Sequence, residues 1–178
     1  MIDCEFDTLI LSLVLIWIFY VFSFNLQLSN LSKIIKHYRN CLSDSPDAPL
    51  YGNIPQGADR ISEQLEQFLA PEHKQFLLLC NGGSFGDIEL WSTEEILDRQ
   101  YRVPKNLQDY TYEIGKVLYE PIFLNRLNDQ VTFNVNSKKS IPFSSFIEEY
   151  MFGSRYKYIF DGADIDDMWY TFLQDNPI

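Results

Sequence analysis

The sequence predicts an α+β domain in which a central, mainly antiparallel sheet has helices before and after it, with a hydrophobic helix ahead of the whole. Three observations predict this. An apolar run without charge opens the chain, helix-period patterns fill the stretch up to residue 80, and β-branched or aromatic runs separated by turn residues follow before helical patterns return.

The chain has 178 residues, 46% of them hydrophobic and 16% aromatic. That is enough for one domain with a sizeable core plus an appendage, and it excludes wholesale disorder. The division expected is 1–27 for the hydrophobic segment and 28–178 for the folded domain. The net charge of −11 argues against direct nucleic-acid binding, which gains affinity by neutralising phosphates with Lys and Arg. A basic protein partner is the natural counterpart of such a surface, although acidity also serves solubility. Cys4, Cys41 and Cys80 are odd in number and widely spaced, so they suggest neither a disulfide framework nor a metal site. Cys80, inside the run Phe76-Leu77-Leu78-Leu79-Cys80, reads as a small buried hydrophobe.

Between Asp7 and Lys33 no residue is charged, and Leu9 to Leu26 form an apolar stretch of 18 residues. At 1.5 Å per residue it is about 27 Å long, close to the thickness of a bilayer's hydrocarbon. Asp3, Glu5 and Asp7 precede the run, unlike the basic start of a signal peptide, and no cleavage site follows. Lys33, Lys36 and Arg39 come after it, which places the domain in the cytoplasm. The expectation is therefore a single-pass membrane segment, and a cytoplasmic protein if the segment is not a true span or its start is misassigned.

Leu31, Ile34, Ile35 and Tyr38 give a short amphipathic helix from Leu31 to Cys41, broken by the Ser- and Pro-containing stretch 43–49. Ile61, Leu65, Phe68 and Leu69 form the apolar stripe of a helix ending at Ala70-Pro71. Pro71 opens a further helix that reaches Cys80 and stops at Asn81-Gly82-Gly83, a structural turn whose residues tolerate the left-handed conformation. Phe85, Ile88, Leu90 and Trp91 read as a strand, and Ser92-Thr93-Glu94-Glu95 as a capping box for a short helix through Arg99. Tyr101 to Gly115 is a polar stretch. Val117 to Leu124 and Val131 to Val135 form a hairpin around Asn125 to Gln130, with Pro121 confined to an edge or bulge. Ser145-Phe146-Ile147-Glu148 is a second capping box for a helix closing at Gly153. Tyr156 to Phe160 reads as a last strand and Asp164 to Leu173 as a terminal helix with acids at its start.

The run Ile61-Ser62-Glu63-Gln64-Leu65-Glu66 through Leu77-Leu78-Leu79-Cys80-Asn81-Gly82-Gly83, a strand, and then Thr93-Glu94-Glu95-Ile96 resembles the signature of the SUKH superfamily. Phe143-Ser144-Ser145-Phe146-Ile147 resembles its second landmark. Ala70 stands where members of this group of Smi/Knr-like proteins usually have proline, and His73 where tyrosine is common. The resemblance covers about residues 30 to 155 and implies a binding role, often as an immunity protein neutralising a polymorphic or contact-delivered toxin, or as a regulatory scaffold. It brings no shared catalytic residues.

The search for chemistry agrees in direction. His37 and His73 lie on separate helices without a partner at metal-ligand spacing, and no nucleophile elbow, phosphate loop or dinucleotide fingerprint occurs. No cofactor, catalytic residue or metal ligand is expected. Asp161, Asp164, Asp166 and Asp167 lack the glycine and distal glutamate of a calcium loop. With Trp169 and Tyr170 they are instead the candidate partner-binding surface, in a segment that from Phe160 onward carries five acids and no Lys or Arg. A small hydrolase using Glu94, Glu95, Glu148 and Glu149 is the alternative, but helix capping accounts for those pairs.

Overall fold

The computed structural model describes residues 14–15, 18, 26, 28–133, 140–160, 163 and 167–178. The chain forms two compact units, Met1–Lys33 and Ile34–Ile178. In the first, Val14, Leu15, Ile18 and Leu26 are helical and exposed, and residues 28–33 are helical. Most of the expected span Leu9 to Leu26 lies outside the described residues. Among the described residues no helix is long and apolar enough to cross a membrane.

The second unit is α+β. Helix α1 (34–43) and the short α2 (Ala48–Tyr51) lead into β1 (Gly52–Asn53), and α3 (Glu63–Phe68) and α4 (Pro71–Leu79) follow. The sheet continues with β2 (Gly83–Phe85), β3 (Ile88–Leu90), β4 (Thr111–Val117), β5 (Glu120–Asn125), β6 (Gln130–Thr132) and β7 (Ser140–Pro142). Among the described residues seven strands lie in chain order, and each pair is antiparallel. Then come α5 (Phe143–Ser145), which runs into a π-helical turn at Phe146–Met151, a 3₁₀ turn at Ser154–Tyr158, and α6 (Met168–Asp175).

Period-two alternation decides which face of the sheet meets the helices. Phe85, Ile88, Leu90, Val117, Ile122, Leu124 and Val131 are all buried on one face, where Phe76 and Leu77 of α4 and Phe143 of α5 also lose all or nearly all contact with water. Tyr38, Phe85, Phe152, Trp169 and Phe172 form a continuous aromatic cluster, with Phe85 edge-on to Trp169 at 5.6 Å and Tyr38 stacked on Phe152 at 5.4 Å. Each such pair contributes about 0.5–1.5 kcal/mol beyond its area burial. Arg39 binds α1 to the rest by donating to the carbonyls of Ile54, Pro55 and Leu79, the last of which is an end carbonyl of α4 that the helix itself cannot satisfy.

Several elements differ from the expectation. The segment 85–91 is two strands, because Gly86-Asp87 turns the chain with Gly86 at φ 61°. Thr111 to Gly115, inside the expected polar stretch, belongs to β4, and the hairpin partner of β5 is therefore β4 as well as β6. A bulge between Glu113 and Gly115 breaks the alternation that would have revealed β4. Pro121 sits opposite Lys116 in β5, outside the described β5–β6 pairs, which run from Phe123–Thr132 to Asn125–Gln130. Residues 93–99 form successive turns rather than a regular helix, though Glu95 accepts the Ser92 amide at 3.1 Å as a capping box would. The second box does not form: Ser145 is already helical and its side chain makes no cap bond, since the helix starts earlier, at Phe143. Tyr156 to Phe160 is no strand, because 154–158 coils into a 3₁₀ turn. Helix α4 ends at Leu79 with an extended cap at Cys80, so the two glycines serve the entry to β2 and not the helix end.

Candidate functional site

Asp167 is the N-cap of α6, and this role fixes it in space: its Oδ1 accepts the amides of Trp169 at 2.7 Å and Tyr170 at 3.1 Å. Its other oxygen accepts the Tyr156 hydroxyl at 2.6 Å, and that hydroxyl oxygen in turn receives the Asp87 amide at 2.9 Å. Two turns distant in sequence, Gly86-Asp87 and the start of α6, are thereby held together. A Cβ on residue 86 would lie 2.7 Å from Asp167 Oδ1 and against the Tyr156 hydroxyl, so only glycine permits this approach.

The result is a cleft of about 280 Å³ between α2, the β2–β3 turn and the start of α6. Asp87 and Asp167 supply its charge, and Leu50 and Met168, 62% and 42% exposed, supply apolar rims. Burial, and then the neighbouring Asp167 carboxylate, hold the Asp87 carboxyl above its ordinary range. Burial first and the bond to Asp167 second push the Tyr156 phenol up as well, so it remains a donor at any ordinary pH. Two like charges facing one opening are relieved by a cation from outside.

A second cleft of about 460 Å³ is lined by Asp59, Arg60, Ser62, Asn81 and Glu94 among others. Asn81 forms part of its wall as a brace: its carbonyl accepts the Thr93 amide at 2.8 Å and its amide donates to Glu94 at 3.2 Å. Gly82 and Gly83 have φ of 73° and 127°.

Of the expected surface, Asp161, Asp164 and Asp166 lie outside the described residues, and Asp167 lines the first cleft. Trp169 does not present its ring: it is 0% exposed, with its indole N–H donating to the Met151 carbonyl at 2.8 Å. The helical phase that puts Asp167 at the cap turns Trp169 into the core. Asp87, Leu50, Met168 and Tyr156 were not singled out in the sequence. The dipeptide Gly86-Asp87 was the available signal, since Gly-Asp marks a turn.

His73 and His37 lie in separate surroundings. His73 is buried against Tyr112 at 3.0 Å, and His37 Nε2 lies 3.1 Å from the Asn176 carbonyl. Among the described residues no group of three or more His, Cys, Asp or Glu could hold a metal ion. Burial pushes the Cys80 thiol up to about 12, which keeps it protonated and inert. Of the four glutamates of the hydrolase alternative, Glu94 lines the second cleft, while Glu95 pairs with Arg99 at 3.2 Å and Glu149 with Arg155 at 2.9 Å.

No protein-family profile matches the chain, and no curated protein matches it.

Proposed function

We propose that residues 34–178 form a non-catalytic protein-binding domain of SUKH-like type, an immunity protein that neutralises a polymorphic or contact-delivered toxin. The observation that carries this reading is the cleft at Asp87 and Asp167, where carboxylates and exposed apolar side chains share one opening. Partner surfaces combine these features, because apolar rims supply binding energy while charge steers encounter and selects sign. The net charge of −11 extends the same preference to long range, and a toxin that must hold phosphate is basic. A regulatory scaffold would use the same chemistry on another partner. Leu9 to Leu26 would hold the domain at the inner face of a membrane.

The raised Asp87 carboxyl beside a second carboxylate favours a second reading, a small hydrolase with an acid pair. Against it, Asp167 already accepts three hydrogen bonds, two as a helix cap and one from Tyr156, which leaves it engaged in structure. The experiment is calorimetric titration of the protein with a basic toxin domain, sought first among the products of adjacent genes, together with co-expression for protection. Binding that Asp87→Asn and Met168→Glu each weaken supports the immunity reading. Absence of binding, with turnover of ester or glycoside substrates that Asp87→Asn abolishes, would replace it by the hydrolase.

A further inference from the structure

The cleft does not end at Asp87. The Asp87 carbonyl accepts the Leu118 amide at 2.8 Å, which places the tip of the β4–β5 hairpin directly beside it. That tip is a two-residue loop, Leu118-Tyr119, between the paired residues Val117 and Glu120. Leu118 occupies its first position at φ 53°, where glycine or asparagine is the usual occupant and a leucine is strained. The strained leucine is 41% exposed and Tyr119 is 89% exposed, so neither is held there by the core. Backbone strain kept without a packing reward points to a task at the surface.

Across the tip, Arg102 donates to the Tyr119 carbonyl at 2.8 Å and its guanidinium lies 5.8 Å from the centre of the exposed Tyr101 ring. Arg102 is itself neutralised by Glu113, to which it donates through two nitrogens. Glu120, exposed next to Tyr119, adds a carboxylate at the tip, within electrostatic reach of Arg102. Aromatic faces and carboxylates presented together suit one side chain above others, because a guanidinium stacks on rings and pairs with carboxylates in a planar fork, whereas an ammonium does neither as well. We propose that this end of the sheet, from the Asp87–Asp167 cleft to the Leu118-Tyr119 tip, takes an arginine-bearing segment of a basic protein partner, with Tyr119 as its aromatic anchor. The inference rests on the partner-binding reading above and names the chemistry of the partner.

The test titrates the full chain with an arginine-rich decapeptide and a lysine-rich one of equal length, followed by amide NMR shifts and calorimetry. Tighter binding of the arginine peptide, with shifts at Gly86, Asp87, Leu118 and Tyr119, is the expected result. Tyr119→Ala weakens that binding about tenfold or more. Leu118→Asn, which tolerates the positive φ, weakens it while the melting temperature stays or rises by up to about 2–4 °C. Binding that Asp87→Asn weakens and Tyr119→Ala leaves untouched overturns the inference and leaves the cleft reading standing. Equal affinity for the two peptides, or binding of neither, overturns the inference, while the partner-binding reading stands or falls on the toxin titration. A dimer in sedimentation that Tyr119→Ala dissolves assigns the tip to a second copy of the chain and overturns the proposal.

Discussion

The Tyr156 hydroxyl donates to Asp167 Oδ2 across 2.6 Å while receiving the Asp87 amide at 2.9 Å, so one phenol ties the start of the last helix to the β2–β3 turn. A hydrogen bond to a charged group contributes about 1.5–3 kcal/mol, and the buried partners it leaves behind add to the loss. Tyr156→Phe is therefore expected to lower unfolding free energy by about 2 kcal/mol in urea titration. Asp167→Ala should cost at least as much, since it removes the helix cap too. The two losses should be less than additive in the double variant, because they share one bond. Fully additive losses would deny the link.

Glu113 is 0% exposed and is held by Arg102, with the Trp91 indole donating to it at 3.2 Å. The β4 bulge turns it toward residues 91–103, which cover it. Removing one partner of a buried pair strands the other, at a cost of about 3–5 kcal/mol, whereas replacing both by apolar groups can be nearly neutral. Arg102→Met should thus be severely destabilising, and Arg102→Met with Glu113→Leu should recover most of the loss. Equal melting temperatures for the single and double variants would show that the pair is not a unit.

These two networks also show what the sequence could and could not tell. Helices α3 and α4 were legible from Leu65, Phe68 and the apolar run to Cys80, because a one-sided stripe at helical spacing has few other uses. Strand β4 was not, since Glu113 at a bulge and Lys116 on the outer face make Thr111–Val117 look polar, and its burial depends on Arg102 and Trp91 arriving from elsewhere. The cleft was half legible: Asp167 was singled out for its charge, but its meeting with Asp87 is made by Tyr156, 69 residues from Asp87. Trp169 is a related case, since it lines the cleft while its ring is buried. An aromatic next to acids reads as surface until the phase of the helix is known.

Gly82 and Gly83 carry the chain from Cys80 into β2. A Cβ on Gly82 would lie 2.7 Å from the Ser92 nitrogen and 2.8 Å from the Leu90 carbonyl oxygen, and one on Gly83 would lie 2.5 Å from the Asn53 carbonyl oxygen. Those neighbours are backbone of the sheet and cannot move aside. With left-handed strain added, Gly82→Val and Gly83→Val are each expected to cost about 2–4 kcal/mol. Thermal melts unchanged by either substitution would remove this assignment.

The uncharged run Leu9 to Leu26, followed by Lys33, Lys36 and Arg39, leads to an expectation for the full chain. It should remain in the membrane pellet after alkaline carbonate extraction, whereas a chain beginning at Leu28 should be released. Quantitative release of the full chain would end the membrane reading.

His73 gives the domain an acid limit. Its ring is fully buried between Tyr112, Phe76 and Phe143, with Nδ1 3.0 Å from the Tyr112 hydroxyl. That hydroxyl oxygen also receives the Ala70 amide at 3.0 Å, while His73 Nε2 is buried with no hydrogen-bond partner among the described residues. A charged ring would hold its extra proton among aromatic rings with Nε2 unpaired, and burial pushes His73 down to about 3. In the unfolded chain a histidine titrates near 6.5. Between those values the unfolded state takes up a proton that the folded state refuses, so stability falls as pH drops from about 6.5 towards 3, by about 1.4 kcal/mol per pH unit, and is level above that window. Glu72 and Asp129 act in the opposite sense, because burial, joined at Glu72 by the charge of Asp129, holds their carboxyls up and acid relieves them. The measurement must therefore be a difference. Urea titrations of the wild-type protein and His73→Phe at pH 7, 6, 5 and 4 should diverge, with the wild type losing stability relative to the variant only below about pH 6.5. Parallel curves over that range would mean that residue 73 is not a buried neutral imidazole.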